Sequence, residues 1–159
     1  MAAATLTGLR IDEATWSAGS GARKNEWRVA IAEVVQEGRF ESVVEGRHEV
    51  VLTVAGDRAT LEWDGAAVEL PVRELKPLMD EYMQICGEMS KLGVGANSPR
   101  LEALDIAKRI THDEAGDAIR AAMRSFRPDH GTARRLFTLL VTLYHDTTKL
   151  AAPAHKTHW

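Results

Sequence analysis

The residues best suited to chemistry in this sequence are His112 and Glu114, which flank Asp113. A histidine beside carboxylates can act as a general base or bind a metal, so both residues are candidate catalytic groups. The same stretch also fits a structural role, because Thr111 and Glu114 have the spacing of a capping box at the start of a helix. A zinc site would need two or three further ligands at set spacing, so we predict no metal here.

Two adjacent arginines, Arg134 and Arg135, open a run that is otherwise almost wholly apolar. They lie near the N-terminal end of a predicted helix, where the helix dipole disfavours cations, so we expect an anionic partner group. Successive helical residues are about 100° apart, so the two side chains should point in different directions. Backbone N–H groups and a guanidinium at this end could together bind a phosphate or another anion.

A carboxylate for these arginines could come from the segment that contains Asp105 and Arg109. These two residues are four positions apart on a predicted helix, so they can form an exposed ion pair with each other. Alternatively, Asp105 could lie beneath the apolar helix and bind an arginine in a buried network that fixes the packing of the helices. We therefore predict a binding site at a helical corner, formed by Asp105, Arg109, Arg134 and Arg135.

The sequence contains one cysteine, Cys86, so an intrachain disulfide is impossible. Cys86 shares a helical apolar stripe with Tyr82, Ile85 and Met89. A lone cysteine in that setting is more often a small buried hydrophobe than a nucleophile. The sequence has no identifiable nucleophile–base set and no glycine-rich phosphate loop, so we predict no cofactor.

The composition is that of a soluble globular protein, with 45% apolar and 27% charged residues in a chain of 159. Residues 1–70 carry 7 Lys and Arg against 12 Asp and Glu, whereas residues 71–159 carry 13 against 11. Between residues 100 and 135 there are only 8 positive against 6 negative charges, which does not favour nucleic-acid binding. We find neither an apolar run of membrane-spanning length nor a secretory signal, which predicts a cytoplasmic protein.

Alternating apolar residues and turn motifs predict the strands. Asp64-Gly65 is a preferred pair for a two-residue hairpin turn, and Gly56-Asp57 marks another turn. The strands around these turns form a β-meander over residues 48–70, and a separate short strand is expected over residues 5–11.

Helical spacing of apolar residues predicts a helix from Lys24 to Glu37, after a loop at residues 18–22 and before Gly38 as a left-handed C-terminal residue. Helix dominates after the meander. Four more helices are expected: one that begins near Pro77 and ends at residues 93–95, one that begins at Ser98-Pro99, one over roughly 112–125, and one from Thr132 to Tyr144.

Strands in one run and helices in another predict an α+β fold, in which a small antiparallel β-meander packs on a mainly helical C-terminal half. The helix that begins at Thr132 is apolar on nearly all sides, so we expect it at the centre of the domain. We predict a single domain over residues 1–148 and a mobile C-terminal tail over residues 149–159.

Four segments of the sequence carry a family resemblance. They are Glu26 to Ile31 followed by Phe40, Tyr82 to Cys86, Glu102 to Arg109 followed by His112 to Glu114, and Thr132 to Leu139. In this order they resemble a bacterial family known only as uncharacterised protein family 0262, over roughly residues 25–145. The family pattern has other residues at four positions, Trp27, Pro77, Asp113 and Tyr144, so the chain resembles a divergent member. The resemblance implies a cytoplasmic bacterial protein and no particular reaction, cofactor or partner.

The leading functional hypothesis from the sequence is a small non-catalytic interaction or regulatory protein that acts through the helical corner with the paired arginines. Its partner would be an unidentified protein, and a homodimer is also possible. The alternative is a hydrolase-type enzyme for an anionic small molecule, with His112 or Glu114 as the acid or base and an arginine as the anion clamp. RNA- or ribosome-associated binding through the C-terminal arginines is a weaker alternative.

Overall fold

The structure is a computed structural model that describes residues 2–92 and 98–150. Its elements in chain order are β1 (Ala2–Ile11), α1 (Glu13–Ala18), α2 (Gly21–Glu37), β2 (Phe40–Ser42), β3 (Gly46–Ala55), β4 (Arg58–Trp63), β5 (Ala66–Leu70), α3 (Val72–Leu92), α4 (Pro99–Ala122), β6 (Phe126–Pro128) and α5 (His130–Tyr144). The predicted α+β class is confirmed, with a mainly helical C-terminal half.

The described strands form one mixed sheet in the order β5-β4-β3-β1-β2-β6. Strands β3, β4 and β5 are the predicted meander, and they pair antiparallel as expected. The meander belongs to a larger sheet that is mixed rather than purely antiparallel, because β1 lies parallel to β3. Two helices and β2 separate these strands along the chain, which supplies the long connection that a parallel pair requires.

The turns of the meander have the geometry that their residues predict. Asp64 and Gly65 have φ values of 44° and 78°, as a two-residue hairpin turn of the favoured type needs. Gly56 has a φ of 58°, so the turn before β4 also uses the left-handed region. These turns fix a register in which Leu61 lies opposite both Leu52 on β3 and Val68 on β5.

The predicted loop at residues 18–22 is shorter than expected, because α2 begins at Gly21 rather than at Lys24. Ser20 is the reason, since its hydroxyl accepts a hydrogen bond from the Arg23 N–H at 3.1 Å and so caps the helix. The short helix α1 before it was not predicted from the sequence. Asp12 caps that helix in the same way.

The structure differs from the prediction at the end of α2 and at the beginning of α3. Gly38 is not left-handed, because its φ is −65°; a side chain there would collide with the carbonyl oxygen of Val34. Helix α3 begins at Val72, so Pro77 lies inside the helix rather than near its beginning. The predicted end of this helix at residues 93–95 lies outside the described residues, and α3 is described as far as Leu92.

Helix α4 is continuous, so the predicted capping box and helix start at Thr111 are wrong. Ser98 caps α4 as predicted, because its hydroxyl accepts a hydrogen bond from the Leu101 N–H at 3.2 Å. The Thr111 hydroxyl donates to the Ala107 carbonyl oxygen at 3.0 Å, so the hydroxyl has a hydrogen-bond partner inside the helix. Packing against α3 and α5 then favours a helix that runs through this sequence.

Helix α5 lies at the centre of the hydrophobic core. Every residue from Leu136 to Leu143 is buried, and the helix packs against α2 and α4. The all-round apolar character of the predicted helix is therefore explained by burial within the chain. The largest fully buried side chains of this core include Trp27, Tyr82, Phe126 and Phe137.

The single domain over residues 1–148 stays a prediction. Most of the predicted mobile tail, residues 151–159, lies outside the described residues. Residues 149 and 150 of this tail are described. Leu150 donates its N–H to the Thr147 carbonyl oxygen at 3.1 Å and packs against the core.

Candidate functional site

The two arginines of the predicted corner lie in the first turns of α5. Asp129 caps this helix, with its carboxylate accepting from the Thr132 N–H at 2.8 Å. The Arg134 side chain crosses to α4, where Nη1 donates to Asp113 Oδ1 at 3.0 Å, and its stem lies against Gly116. The anionic partner expected for Arg134 is thus Asp113, whose side chain is 63% exposed.

Arg135 points in a different direction, as the helical geometry predicts. Its Nη1 lies 3.0 Å from the position that a Cβ on Gly131 would occupy, so its side chain covers the first turn of α5. Arg134 faces α4 instead. The two guanidinium groups therefore do not converge on one ligand in this structure.

A further arginine joins the corner between α4 and α5. Arg120 Nε donates to the Pro128 carbonyl oxygen at 3.0 Å, and its Nη1 lies 3.1 Å from His130 Nε2. His130 Nδ1 in turn lies 3.9 Å from Asp117 Oδ1 on an exposed surface. Arg120 thus ties the end of α4 to β6 and to the beginning of α5, a link that sequence spacing did not indicate.

Asp105 and Arg109 form the exposed ion pair that was one of the two alternatives. Arg109 Nη2 lies 2.8 Å from Asp105 Oδ2, and the side chains are 72% and 40% exposed. They belong to the solvent face of α4, which also carries Ile106 and Ile110 at 57% and 53% exposure. We call Asp105, Ile106, Arg109, Ile110 and Asp113 the α4 face.

His112 and Glu114 lie on different sides of α4, since two helical residues are separated by about 200°. His112 is 3% exposed; its ring stacks on Tyr82 with centroids 5.1 Å apart and meets Phe137 edge-on at 5.7 Å. Glu114 is exposed to solvent. The structure does not bring these two candidate acid–base groups together.

His112 belongs to a buried polar cluster that was not predicted from the sequence and that consists of Tyr82, Cys86, Lys108 and His112. Lys108 is 2% exposed, and its Nζ lies 5.9 Å from the centre of the Tyr82 ring. Buried lysines are rare, so this position is unusual. The sequence signal that could have indicated the cluster is a spacing of four residues, which occurs twice. It places Cys86 one turn after Tyr82 on α3, and His112 one turn after Lys108 on α4.

Burial shifts the acid–base properties of this cluster. It lowers the pKa of the Lys108 ammonium and raises the pKa of the Cys86 thiol, because both charged forms lose their hydration. Burial also raises the pKa of the Tyr82 hydroxyl. The neutral forms of the thiol and the phenol are therefore favoured, and the cluster packs α3 against α4 with polar groups inside a mainly apolar core.

A second unpredicted feature is a groove of about 570 Å³ between β1 and α2. Apolar side chains line most of it, namely Leu9 and Ile11 from β1, Trp16 from α1, and Ile31 and Val35 from α2.

Within residues 2–92 and 98–150, no three His, Cys, Asp or Glu side chains are grouped as a metal site would need. No helix in the same ranges is long and apolar enough to cross a membrane.

These features describe an α+β protein in which a mixed sheet and a helical half share one core, with charged groups at the α4–α5 corner. The model of an uncharacterised protein family (UPF0262) matches residues 3–146, and the chain belongs to this family. The resemblance found in the sequence is thus confirmed.

The relatives are bacterial and distant. The chain is 29% identical to the UPF0262 protein of Hyphomonas neptunium over 153 residues, which are 91% of this chain and 94% of the relative. It is 29% identical to the Maricaulis maris protein over 145 residues (86% and 91%) and 26% identical to the Phenylobacterium zucineum protein over 146 residues (87% and 92%). No solved structure matches the chain.

Proposed function

We propose that this protein is a non-catalytic interaction module of the bacterial cytoplasm, and that its α4 face binds an amphipathic helix of a partner protein. The observation that carries this proposal is the exposure of Ile106 and Ile110, at 57% and 53%. Two large apolar side chains one turn apart on a solvent-facing helix are the pattern by which helices recognise one another.

The charges of the α4 face specify the partner's chemistry. Going along the helix, Asp105, Arg109 and Asp113 alternate in sign, and Arg134 adds a cation beside the last of them. A partner helix would place apolar residues on the two isoleucines and opposite charges beside these side chains. Exposed ion pairs contribute little to folding stability, so their role here is to select the partner and its orientation.

The hydrolase alternative has less support. His112 is enclosed by Tyr82 and Phe137, and Glu114 projects from another side of α4, whereas general acid–base catalysis needs both groups within reach of one substrate. RNA binding also has less support, because Arg109 and Arg134 are each paired with an aspartate. An affinity for RNA that falls steeply with salt would favour that alternative instead.

The test uses a photo-crosslinking amino acid in place of Ile106 in the full chain, expressed in a native bacterial host. We expect a crosslink to one protein, at a segment that peptide mapping identifies as an amphipathic helix. Ile110→Lys in the same chain should remove most of this crosslink. Val43→Lys is the matched control, because Val43 is 73% exposed and lies outside the α4 face.

Three results would contradict the proposal. One is the absence of any crosslink that depends on Ile110. Another is an equal loss of crosslinking in the Val43→Lys control, which would show that the charge change acts nonspecifically. The third is a crosslink to a second copy of the chain, which would make the α4 face a homodimer interface instead.

A further inference from the structure

One edge of β1 is only partly paired with another strand. On one side, β1 pairs with β3 from Ala4 to Ile11, with a bulge between Leu6 and Gly8. On the other side, its pairing with β2 covers only residues 2–4. Within the described parts of the chain, residues 5–11 therefore pair with no strand on that side, and backbone N–H and C=O groups there can accept a further strand.

The groove between β1 and α2 lies beside this unpaired edge. Gly8, Leu9, Arg10 and Ile11 of β1 form one wall of it. The opposite wall comes from α2, where Arg28, Ile31, Ala32 and Val35 follow one another at helical spacing. A strand edge that faces an apolar helical wall is the arrangement that binds an extended peptide, with backbone hydrogen bonds to the strand and side chains in the groove.

Helix α2 carries more apolar surface than the core of this chain covers. Its core side holds Trp27, Ala30 and Val34, which are buried. Ile31 and Val35 lie toward the groove and are only partly buried. A helix with apolar residues on more than one side is expected to be covered on more than one side.

Among the charged residues that line the groove, the two arginines Arg10 and Arg28 outnumber the one acid, Glu13. Arg28 lies over the Trp16 ring, with its guanidinium carbon 5.2 Å from the ring centre, and Lys24 lies over the same ring at 5.7 Å. Arg10 is exposed on the strand itself. In the described parts of the chain, neither Arg10 nor Arg28 has a carboxylate within 4.0 Å, and the one acid among the lining residues, Glu13, accepts from Ser17.

We propose that this groove binds an acidic, extended peptide segment of a partner protein, which adds to the free edge of β1 as a strand. Alternate apolar side chains of the peptide pack between Leu9 and Val35, and its carboxylates meet Arg10 and Arg28. The charge of Arg10 at the edge repels a basic or second identical edge and admits an acidic one. This surface is separate from the α4 face.

Gly8 is consistent with the close approach of another backbone. Its φ is not positive, and a Cβ there would meet only the Glu49 side chain at 3.8 Å, an ordinary contact. The space around Gly8 would therefore admit a side chain, although Gly8 also lies at a bulge in the pairing of β1 with β3. A glycine inside a strand often marks a place where another backbone comes close.

The test is selection of a phage-displayed library of random dodecapeptides on the immobilised full-length protein, followed by synthesis of the enriched peptides with a fluorescent label. We expect enriched sequences that alternate apolar and acidic residues. By fluorescence anisotropy, Arg28→Glu should weaken their binding about tenfold or more, which corresponds to about 1.4 kcal/mol. Methylating alternate backbone nitrogens of the peptide should weaken binding by a similar factor, because it removes the N–H donors of an added strand.

The matched control is Arg124→Glu, the same charge reversal at an exposed arginine near the end of α4. This variant should bind within twofold of the unmodified protein, and so should Ile106→Lys, which alters only the α4 face. The proposal is overturned if no enriched peptide distinguishes the unmodified protein from Arg28→Glu, or if N-methylated peptides bind equally well. It is also overturned if light scattering shows a dimer that Arg28→Glu dissociates, since the second copy would then occupy the groove.

Discussion

At the scale of single residues, burial decides which reactive side chains are available. Cys86 is 0% exposed and lies on α3 inside the polar cluster, as the prediction of a small buried side chain requires. His112 is enclosed in the same cluster, although its residue type suggested chemistry. By contrast, Ile106 and Ile110 are exposed on α4, although an isoleucine side chain suggests no chemistry.

The first prediction concerns the reactivity of Cys86. Burial raises the pKa of its thiol and blocks access, so little thiolate forms and reagents cannot reach it. We expect a disulfide reagent such as dithionitrobenzoate to label the native protein at pH 8 far more slowly than the protein in denaturing urea. Rapid stoichiometric labelling in native buffer would show that the cluster opens to solvent.

The second prediction concerns Asp12, whose carboxylate holds β1, α1 and β3 together. It accepts from the Val54 N–H at 2.9 Å and from the N–H and hydroxyl of Thr15 at 3.1 Å and 2.9 Å. Burial acts to raise the pKa of this carboxyl, but these hydrogen bonds outweigh it and lower the pKa. Asp12→Asn should therefore lower the free energy of unfolding by about 1 kcal/mol at pH 7, because hydrogen bonds to a neutral amide are weaker than those to a carboxylate.

The sign of the pH effect follows from the lowered pKa. The stabilisation is complete above the unfolded-state pKa of about 3.9 and is lost as the pH falls through the lower folded-state value. Urea unfolding followed by tryptophan fluorescence should thus show a constant difference between the two proteins above about pH 5 that narrows below pH 4. A difference that grows toward low pH would contradict this account.

At the scale of secondary-structure elements, local signals placed the turns of the meander and the Ser98 cap of α4, and neighbouring elements decided other helix boundaries. Asp64-Gly65 forms its turn because both residues tolerate positive φ. Thr111 has the sequence of a helix start but lies inside α4, since packing on α3 and α5 outweighs a local cap. Gly38 follows α2 where a side chain would collide with the Val34 carbonyl oxygen, a constraint that its residue type alone does not reveal.

The third prediction contrasts a glycine inside a helix with a glycine that follows a helix. In α3, a Cβ on Gly87 would have no neighbour within 4 Å, so Gly87→Ala should raise stability by about 0.5–1 kcal/mol through helix propensity. At Gly38 a Cβ would collide with the Val34 carbonyl oxygen, so Gly38→Ala should lower stability by about 1–3 kcal/mol. Thermal unfolding of both variants beside the parent measures the two shifts, and shifts of the same sign would refute the steric argument.

At the scale of the whole molecule, residues distant in the chain donate hydrogen bonds to the carbonyl oxygens at the C-terminal end of the buried helix α5. Its last turn carries no basic residue of its own. Arg23 of α2 supplies the missing donors, because its Nη2 donates to the carbonyl oxygens of Thr142 and Leu143 at 3.1 Å and 3.0 Å. The Trp27 indole N–H adds a bond to Thr142 at 2.9 Å. The end of one helix is thus capped by the beginning of another.

The fourth prediction tests this long-range cap. Arg23→Ala should lower the free energy of unfolding by about 1–3 kcal/mol, because buried carbonyl oxygens lose charged donors. Arg28→Ala on the same helix is the control, since the Arg28 guanidinium bonds to the Asn25 side chain on an exposed surface. Because Arg28 also lies over the Trp16 ring, we expect the control to lower stability by at most about 1 kcal/mol in urea titrations. If both variants lost the same free energy of unfolding, the hydrogen bonds from Arg23 to the end of α5 would not account for its effect.

The sequence by itself determined the α+β class, the meander with its turns, the Ser98 cap, the buried character of α5 and the family. The elements, turns and cap among these depend on residues close together in the chain, where periodicity and turn chemistry act directly. The family depends on four short segments along the chain, each of which is recognised from its own residues. Tertiary structure alone decided the parallel pairing of β1 with β3, the burial of Lys108 and His112, the Asp113 partner of Arg134, and the groove beside β1. These features join segments far apart in sequence, and their energies come from burial and hydrogen bonds that exist only after the chain has folded.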